Sequence, residues 1–280
     1  MLKGYFKRIY DIIMRPEMKI LPGQLAYFLI LSIFPLLTLL GYIVSKITLL
    51  SLPFVEIIEK VIPGNFTKIL LPFLDGSNIS GNIAFVMIVG FILVSNGTHS
   101  IIITSDELFG IEYDDYIKRR IKAFFMIFIL LFLFIFILVV LAYGNVILNY
   151  ILNLDFLLEF RDKIYVIFVL IKWPLAFVLF FWILKLLYTM APDEQISSSF
   201  MNKGAFFTTI GWIITTFVYS YYVSNFANYS LFYGSLSGII VMMIWIYMLS
   251  FIFVMGIAIN AEGYLAYKNK YKNVKGEKNS

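Results

Sequence analysis

The chain has 280 residues, of which 61% are apolar and only 14% are charged, and its formal net charge is +5. A soluble globular protein carries about a quarter charged residues, so this composition excludes a water-soluble domain and indicates a membrane protein. Because the chain has no cysteine and a single histidine, His99, the sequence also excludes disulfides, cysteine nucleophiles and histidine-clustered metal sites.

Residues 1–21 predict an amphipathic helix on the cytoplasmic face of the membrane. Two sets of side chains fall on opposite faces of this helix: apolar Leu2, Phe6, Ile9 and Ile13, and polar Lys3, Lys7, Asp11 and Arg15. Such a helix lies in the interface with its basic side toward anionic headgroups, and it is expected to lead into the first span at Pro22–Gly23. A frayed cytoplasmic end is the alternative.

Six apolar stretches are long enough to cross a bilayer, whose core of about 30 Å needs about 20 helical residues. They cover residues 25–47, 83–103, 123–148, 164–187, 204–223 and 238–261. The sequence therefore predicts an all-α polytopic fold, with a six-span membrane domain at 22–266 and a basic cytoplasmic tail at 267–280. Between the first two spans, broken apolar runs at 54–74 predict short interfacial or re-entrant helices on the outer face.

Lys and Arg concentrate in the loops on one side of the predicted spans. That side holds the N-terminal segment, the basic loop at 118–122, Lys185, Lys203 and the tail, whereas the other side has only Lys60, Lys68, Arg161 and Lys163 in its loops. Since positive loops stay inside during insertion, both termini are predicted to be cytoplasmic. The same rule explains the pI of about 9.1 without a nucleic-acid partner.

Two spans carry an internal proline, Pro35 in the first and Pro174 in the fourth. Each proline removes one helical hydrogen bond, which usually kinks a helix. Their matched positions fit an inverted repeat around a transport site, or a coincidence of two common membrane prolines. Beside Pro174, Lys172 is expected either to meet an anionic group in a cavity or to extend toward the outer headgroups.

Hydroxyl and other polar side chains inside the spans are candidates for a substrate path. With the two prolines and Lys172, these candidates are Tyr27, Ser32, Thr38, His99, Thr209, Thr216 and Ser220. The alternative for the hydroxyls is that they pack helix against helix. His99 could carry a proton, and the alternative is that it forms a hydrogen bond to a neighbouring helix. The spacing Gly234-xxx-Gly238 is typical of closely packed membrane helices, and Gly256 is also expected at a helix contact.

Several short motifs resemble the YihY/virulence factor BrkB family. They are Ala26-Tyr27, Ser32-Ile33-Phe34-Pro35-Leu36-Leu37, Ala191-Pro192-Asp193, Gly204-Ala205, Gly211-Trp212, Tyr233-Gly234-Ser235-Leu236, Trp245-Ile246-Tyr247, Gly256 and Asn260-Ala261. Their order and spacing extend over nearly the whole chain. The resemblance implies a bacterial plasma-membrane protein with six spans, and an old name, ribonuclease BN, that the family carried by misassignment.

The last span departs from the family pattern at one position. The pattern Gly-Ala-Glu-Leu-Asn-Ala is replaced at 256–261 by Gly-Ile-Ala-Ile-Asn-Ala, so that Ala258 stands at the acidic place. Glu262 follows one helical turn later on the same face. If the family carboxylate couples proton movement, Glu262 must replace it or the coupling is absent, and Asn260 and Glu262 join the candidate path.

The residues themselves argue against a ribonuclease. Metal-dependent RNA cleavage needs carboxylates or histidines grouped around one or two cations. The one dense acidic group, at 106–115, is mixed with the basic residues at 118–120, and this pattern indicates a solvated charge cluster in a short cytoplasmic loop. The sequence thus predicts no enzyme, no metal and no cofactor.

The favoured function is a transporter or lipid-flippase-like protein that moves an amphipathic or anionic substrate through a cavity between kinked helices. The alternative is a structural or partner-binding membrane protein without transport activity. The expected partners are membrane lipids, with a second copy of the chain or other envelope proteins left open and nucleic acid excluded.

Overall fold

A computed structural model describes residues 10–45, 83–112, 115–137, 148, 161–225, 229 and 233–278. The expected outer-face helices at 54–74 and residues 1–9 of the N-terminal helix lie outside the described residues. In the part of the chain that is described, every regular element is helical and none is a strand. The predicted all-α class is therefore confirmed.

Six long helices, here named α1 to α6, make up most of the described residues. They are α1 (Glu17–Ser45), α2 (Ile83–Phe109), α3 (Tyr116–Ile137), α4 (Arg161–Met190), α5 (Asn202–Asn225) and α6 (Ser237–Lys278). A 3-10 turn at Ser198–Met201 leads into α5, and another at Gly234–Leu236 leads into α6. Helices suit these apolar segments because they pair nearly all of their own backbone polar groups.

The first long helix begins earlier than the sequence predicts. Residues 10–13 form one helical turn, a turn follows at 14–16, and α1 then runs unbroken through Pro22 and Gly23. Pro16 precedes the first residue of α1, and its missing N–H has no helical partner to lose at a helix start. The helix has no break at Pro22–Gly23, since the turn before it lies at 14–16, next to the start of α1.

The last helix lies at the centre of the bundle. Helix α6 packs against α1, α2 and α5, while α1 and α2 also pack against each other. Helix α3 lies beside α2, and α4 lies beside α5. Helices α3 and α4 make a small contact with each other, so they flank the bundle on its outside.

One end of the bundle collects most of the charged contacts, and we call it the charged end. There α2 and α4 end, α3 and α5 begin, and the side chains of Asp106, Lys122 and Asp193 meet. The main cluster of buried apolar side chains also comes from helix segments near this end: 12–25, 101–109, 123–126, 184–205 and 253–261. The tightest packing of the described residues is thus at one end of the bundle.

Two of the described helices are long and apolar enough to cross a bilayer, Ile88–Phe109 and Ser237–Lys270, and a shorter apolar helix covers Pro174–Met190. Helix α6 has 42 residues, or about 63 Å of helix, and so exceeds the length that a membrane core requires.

Candidate functional site

Most of the described side chains in the first part of α4 are exposed, and we call residues 165–178 the outer segment of α4. Tyr165, Val166 and Ile167 are each 45% to 55% exposed, and the next residue, Phe168, is only partly buried. Successive helical residues are separated by about 100°, so four in a row sample the whole circumference. The side chains of Tyr165, Val166 and Ile167 thus leave about 200° of the helix circumference exposed.

The face of α4 that contacts α5 becomes exposed farther from the charged end. Phe177 contacts Phe206 of α5 with ring centroids 6.2 Å apart, and Phe180 contacts Trp212 at 5.6 Å. Leu170 is seven residues before Phe177 and thus about 20° from it around the helix, yet it is 68% exposed. The face of α4 that contacts α5 at Phe177 is thus exposed at Leu170.

Pro174 lies inside α4, between the exposed and the packed parts of the helix. Its ring provides no N–H, so the carbonyl of Leu170 lacks its usual helical donor. Near the other end of the helix, Leu184, Leu187 and Tyr188 are each 1% to 3% exposed, so one face of the helix is buried there. The change from packed to exposed surroundings thus occurs close to the proline.

Lys122 of α3 closes the charged end by binding the residues that follow α4. Its ammonium donates to the carbonyl oxygens of Ala191 at 2.8 Å and Pro192 at 2.6 Å, and to Asp193 Oδ1 at 2.8 Å. A cation at a helix C-terminus stabilises carbonyl groups that have no helical donor. This contact fastens α3 to the end of α4.

Asp193 also connects α2 and α3. Its backbone N–H donates to Asp106 Oδ1 at 2.8 Å, and its Oδ2 lies 3.6 Å from Arg119 Nε in an ion pair. Asp106 is 0% exposed and Arg119 is 9% exposed. The expectation of a solvated charge cluster is thus wrong for these two residues, since both are enclosed around Asp193.

A cleft of about 340 Å³ opens beside this charged-end network, which consists of Asp106, Arg119, Lys122 and Asp193. Its lining includes Lys118, Lys122, Asp193 and Glu194, so charges of both signs face it. The cleft lies at the end of α4 that is opposite to the outer segment.

Helices α4, α5 and α6 meet closely next to the charged end. The hydroxyl of Tyr188 lies 2.7 Å from Thr208 Oγ1 and donates to the carbonyl of Phe253 at 2.9 Å. A Cβ added at Gly256 would collide with both hydroxyl groups. Glycine at this position therefore allows α5 and α6 to approach each other closely.

Asn260 belongs to this junction. Its Oδ1 accepts a hydrogen bond from the backbone N–H of Gly204 at 2.7 Å, and its side chain is 1% exposed. A Cβ added at Gly204 would collide with the carbonyl oxygen of Gly256 and with the Asn260 amide. In this structure Asn260 connects the start of α5 to α6.

Two of the predicted path hydroxyls, those of Ser32 and Thr209, donate to backbone carbonyls of their own or a neighbouring helix. Ser32 donates to Phe28 and to Leu93 of α2, and Thr209 donates to Ala205 within α5. Thr216 accepts from the Trp245 indole at 3.3 Å, and Ser220 is half-buried. Tyr27 is 59% exposed on α1. None of these residues lines the charged-end cleft at Asp193 and Glu194.

Two of the remaining candidates, His99 and Glu262, lie on different helices. His99 packs edge-on against Tyr116, with centroids 5.7 Å apart, and Glu262 is half-buried on α6. The backbone of α1 and α4 is described at Pro35, Thr38 and Lys172, but the side chains at these three positions lie outside the description.

Of the two glycines in the predicted close-packing motif, Gly234 lies in a turn and Gly238 lies within α6. Gly234 has φ of +52° and no heavy atom within 4 Å of an added Cβ, so it serves a left-handed turn and not a helix contact. Gly238 is buried in α6. Close approach of the helices occurs at Gly256, which is one of the predicted packing glycines, and at Gly204.

The sequence did not predict that Lys122 contacts Asp193 or that Tyr188 contacts Thr208. The motif Ala191-Pro192-Asp193 is the sequence feature that indicates a role for Asp193. In the part of the chain that the structure describes, no three His, Asp or Glu residues are grouped as metal ligands.

Comparison with known proteins identifies the family. The profile described as virulence factor BrkB matches residues 13–279, which is nearly the whole chain. The chain belongs to the virulence factor BrkB family. As a BrkB-family chain with long apolar helices, it is a membrane protein.

Two curated relatives of this BrkB-family protein show how far the similarity extends. The chain is 30% identical over 253 residues to the ribonuclease-like protein YfkH of Bacillus subtilis, covering 89% of this chain and 90% of that protein. It is 24% identical over 248 residues to the UPF0761 membrane protein VV0203 of Vibrio vulnificus, covering 85% and 75%. No solved structure matches the chain.

Proposed function

We propose that this BrkB-family protein is a transporter, similar in action to a lipid flippase, that moves an amphipathic anion past the outer segment of α4. The observation that carries the proposal is the exposure of Leu170 on the face of α4 that otherwise packs against α5. A gap between two membrane helices provides lateral access for a substrate that keeps its tails in lipid. Six spans, with both termini in the cytoplasm of a bacterial cell, complete the proposed arrangement.

The charged end supplies the closed side in this proposal. Lys122, Asp193 and Asp106 join α2, α3 and α4 through hydrogen bonds of 2.6 Å to 2.8 Å. Gly204 and Gly256 hold α5 against α6 at the same end. A molecule that enters by the outer segment of α4 therefore meets packed side chains before it reaches the charged-end cleft, and transport requires these contacts to open.

Lys172 is the proposed contact for the anionic part of the substrate. It lies on the outer segment of α4, two residues after Leu170 and two residues before Pro174. An ammonium in a membrane core has a high solvation cost unless it is hydrated or paired with an anion. A phosphate or carboxylate in the gap would provide such a pair.

The test is lipid movement in liposomes that contain the purified full-length protein and a headgroup-labelled anionic phospholipid. A membrane-impermeant bleaching reagent then reports the label that reaches the outer leaflet. We expect protein-dependent movement that falls about tenfold in Lys172→Ala and is largely kept in Lys172→Arg.

Two results would contradict the proposal. Equal rates with and without the wild-type protein would remove transport and leave the structural or partner-binding function. Equal rates in the wild type and Lys172→Ala would show that Lys172 does not contact the substrate, because a lysine that only extends to the headgroups is dispensable for transport.

A further inference from the structure

The paired surface of α2 and α3 carries one basic group above a row of exposed aromatic rings. On α3, Tyr116, Arg120, Phe124 and Phe128 follow one another at intervals of four residues, so they lie along one side of the helix. Phe91 of α2 contacts Phe124 and Phe128, with ring centroids 4.7 Å and 6.3 Å away. We call these five residues the α2–α3 stripe.

The guanidinium of Arg120 is held in place at the charged-end limit of this stripe. Its Nε donates to the Tyr116 hydroxyl at 2.8 Å, and Nη1 donates to Asn96 Oδ1 at 2.8 Å. The Tyr116 ring is in turn fixed by the edge contact with His99. A guanidinium that is already oriented loses little entropy when it binds a further group.

Arg120 still has donors to offer. A guanidinium carries five N–H groups, of which two make the bonds described above, and the other three have no hydrogen-bond partner among the described residues. Those three donors suit the planar, bidentate recognition of a phosphate.

The aromatic part of the stripe is exposed where acyl chains would lie. Phe124 is 41% exposed and Phe128 is 50% exposed, although their rings contact each other at 5.2 Å. Phe132, which is 71% exposed, continues the row. Arg120 and Phe132 are twelve residues apart, or about 18 Å along the helix, which is close to the thickness of about 15 Å of one hydrocarbon leaflet.

We infer that the α2–α3 stripe is a binding site for one anionic phospholipid of the leaflet at the charged end. The phosphate accepts hydrogen bonds from Arg120, and an acyl chain lies along Phe91, Phe124 and Phe128. The fixed guanidinium of Arg120 is a positive charge, and an anionic headgroup carries a net negative charge that a zwitterionic headgroup lacks, so charge complementarity favours the anionic headgroup. This site lies on α2 and α3, so it is independent of transport along α4.

The test is native mass spectrometry of the full-length protein in detergent, titrated with phosphatidylglycerol and, separately, phosphatidylcholine. We expect one tightly bound phosphatidylglycerol in the wild type and about tenfold weaker binding in Arg120→Ala, since a hydrogen bond to a charged group is lost. Lys203→Ala removes an exposed positive charge from α5 near the same end and should leave the affinity unchanged.

A second variant tests the chain-binding part without touching the basic group. Phe128→Ala removes an exposed ring and should weaken binding about threefold for phosphatidylglycerol with long acyl chains, but not for glycerol phosphate. Equal phosphatidylglycerol affinity in the wild type and Arg120→Ala would overturn the site. Tight binding of inorganic phosphate alone would also overturn it, because the rings would then contribute nothing.

Discussion

The two ends of α4 are composed of similarly apolar residues but lie in different surroundings. Near the charged end, Leu184 and Tyr188 are each 1% exposed, and the Tyr188 hydroxyl bonds to both α5 and α6. Beyond Pro174, Leu170 is 68% exposed although it continues the face that packs against α5. Hydrophobicity alone therefore does not determine where this helix is buried.

The two ends of α4 differ in the small residues and hydrogen-bonding groups that allow helices to pack closely. At the charged end, glycines, buried hydroxyls and a cation bound to free carbonyls bring the helices together. Between membrane helices, small residues and hydrogen bonds are needed for association, because apolar side chains interact equally well with lipid. The outer segment of α4 offers Tyr165, Val166, Ile167, Leu170 and Ile171, which have no such contacts holding them to α5.

The largest expected effect is at the α5–α6 contact. In Gly204→Ala the new Cβ meets the backbone oxygen of Gly256, which cannot move away as a side chain can. We expect a loss of about 3 kcal/mol or more in the free energy of unfolding, measured by denaturant titration in detergent micelles.

Gly263→Ala is the matched control for this substitution. No heavy atom lies within 4 Å of a Cβ added there, so alanine should be neutral or stabilising by up to about 1 kcal/mol. Equal stability of the two variants would show that close approach at Gly204 does not hold the charged end together.

A pair of leucine substitutions compares the two parts of α4 directly. Leu184→Ala removes a buried side chain and should cost about 2.5 kcal/mol, whereas Leu170→Ala should cost less than about 0.5 kcal/mol. The same denaturant titration measures both. If Leu170→Ala were as costly as Leu184→Ala, the outer segment would be packed and the comparison would fail.

A smaller effect is expected at the charged-end network. Lys122→Met leaves the carbonyls of Ala191 and Pro192 and the carboxylate of Asp193 without their donor, and we expect a cost of about 2 kcal/mol.

Lys268→Met provides the exposed counterpart of this change. Lys268 and Glu194 lie 3.2 Å apart, but both side chains are 41% exposed, so the pair should contribute less than about 0.5 kcal/mol. A cost for Lys122→Met that does not exceed the cost for Lys268→Met would mean that the network does not fasten α3 to α4.

The sequence predicted the features that depend on local composition. The all-α class, the membrane character and the family follow from apolar length and short motifs, and the six long helices overlap the six predicted stretches. The start of α1 was misplaced because Pro22 is tolerated inside the helix, while Pro16 lies next to the break.

The parts that the sequence did not predict depend on contacts between distant residues. Asp106 was expected to be solvated because its partner, Asp193, is 87 positions away in the chain. The hydroxyls at Ser32 and Thr209 bind backbone carbonyls, and no composition pattern distinguishes such a hydroxyl from one that lines a path. Apolar residues occur on every side of α4, so the sequence likewise does not predict that Leu170 is exposed.

The central claim, a gap beside the outer segment of α4, can be tested by thiol labelling, since the chain has no cysteine of its own. Single substitutions Leu170→Cys, Leu184→Cys and Val218→Cys would be treated in proteoliposomes with a membrane-impermeant maleimide. Val218 is the lipid-facing control, because it is 55% exposed but lies about 120° around α5 from both Phe206 and Trp212. We expect rapid labelling at position 170 and almost none at positions 184 and 218. Labelling at position 170 as slow as at position 218 would show that Leu170 faces lipid alone and would contradict the gap.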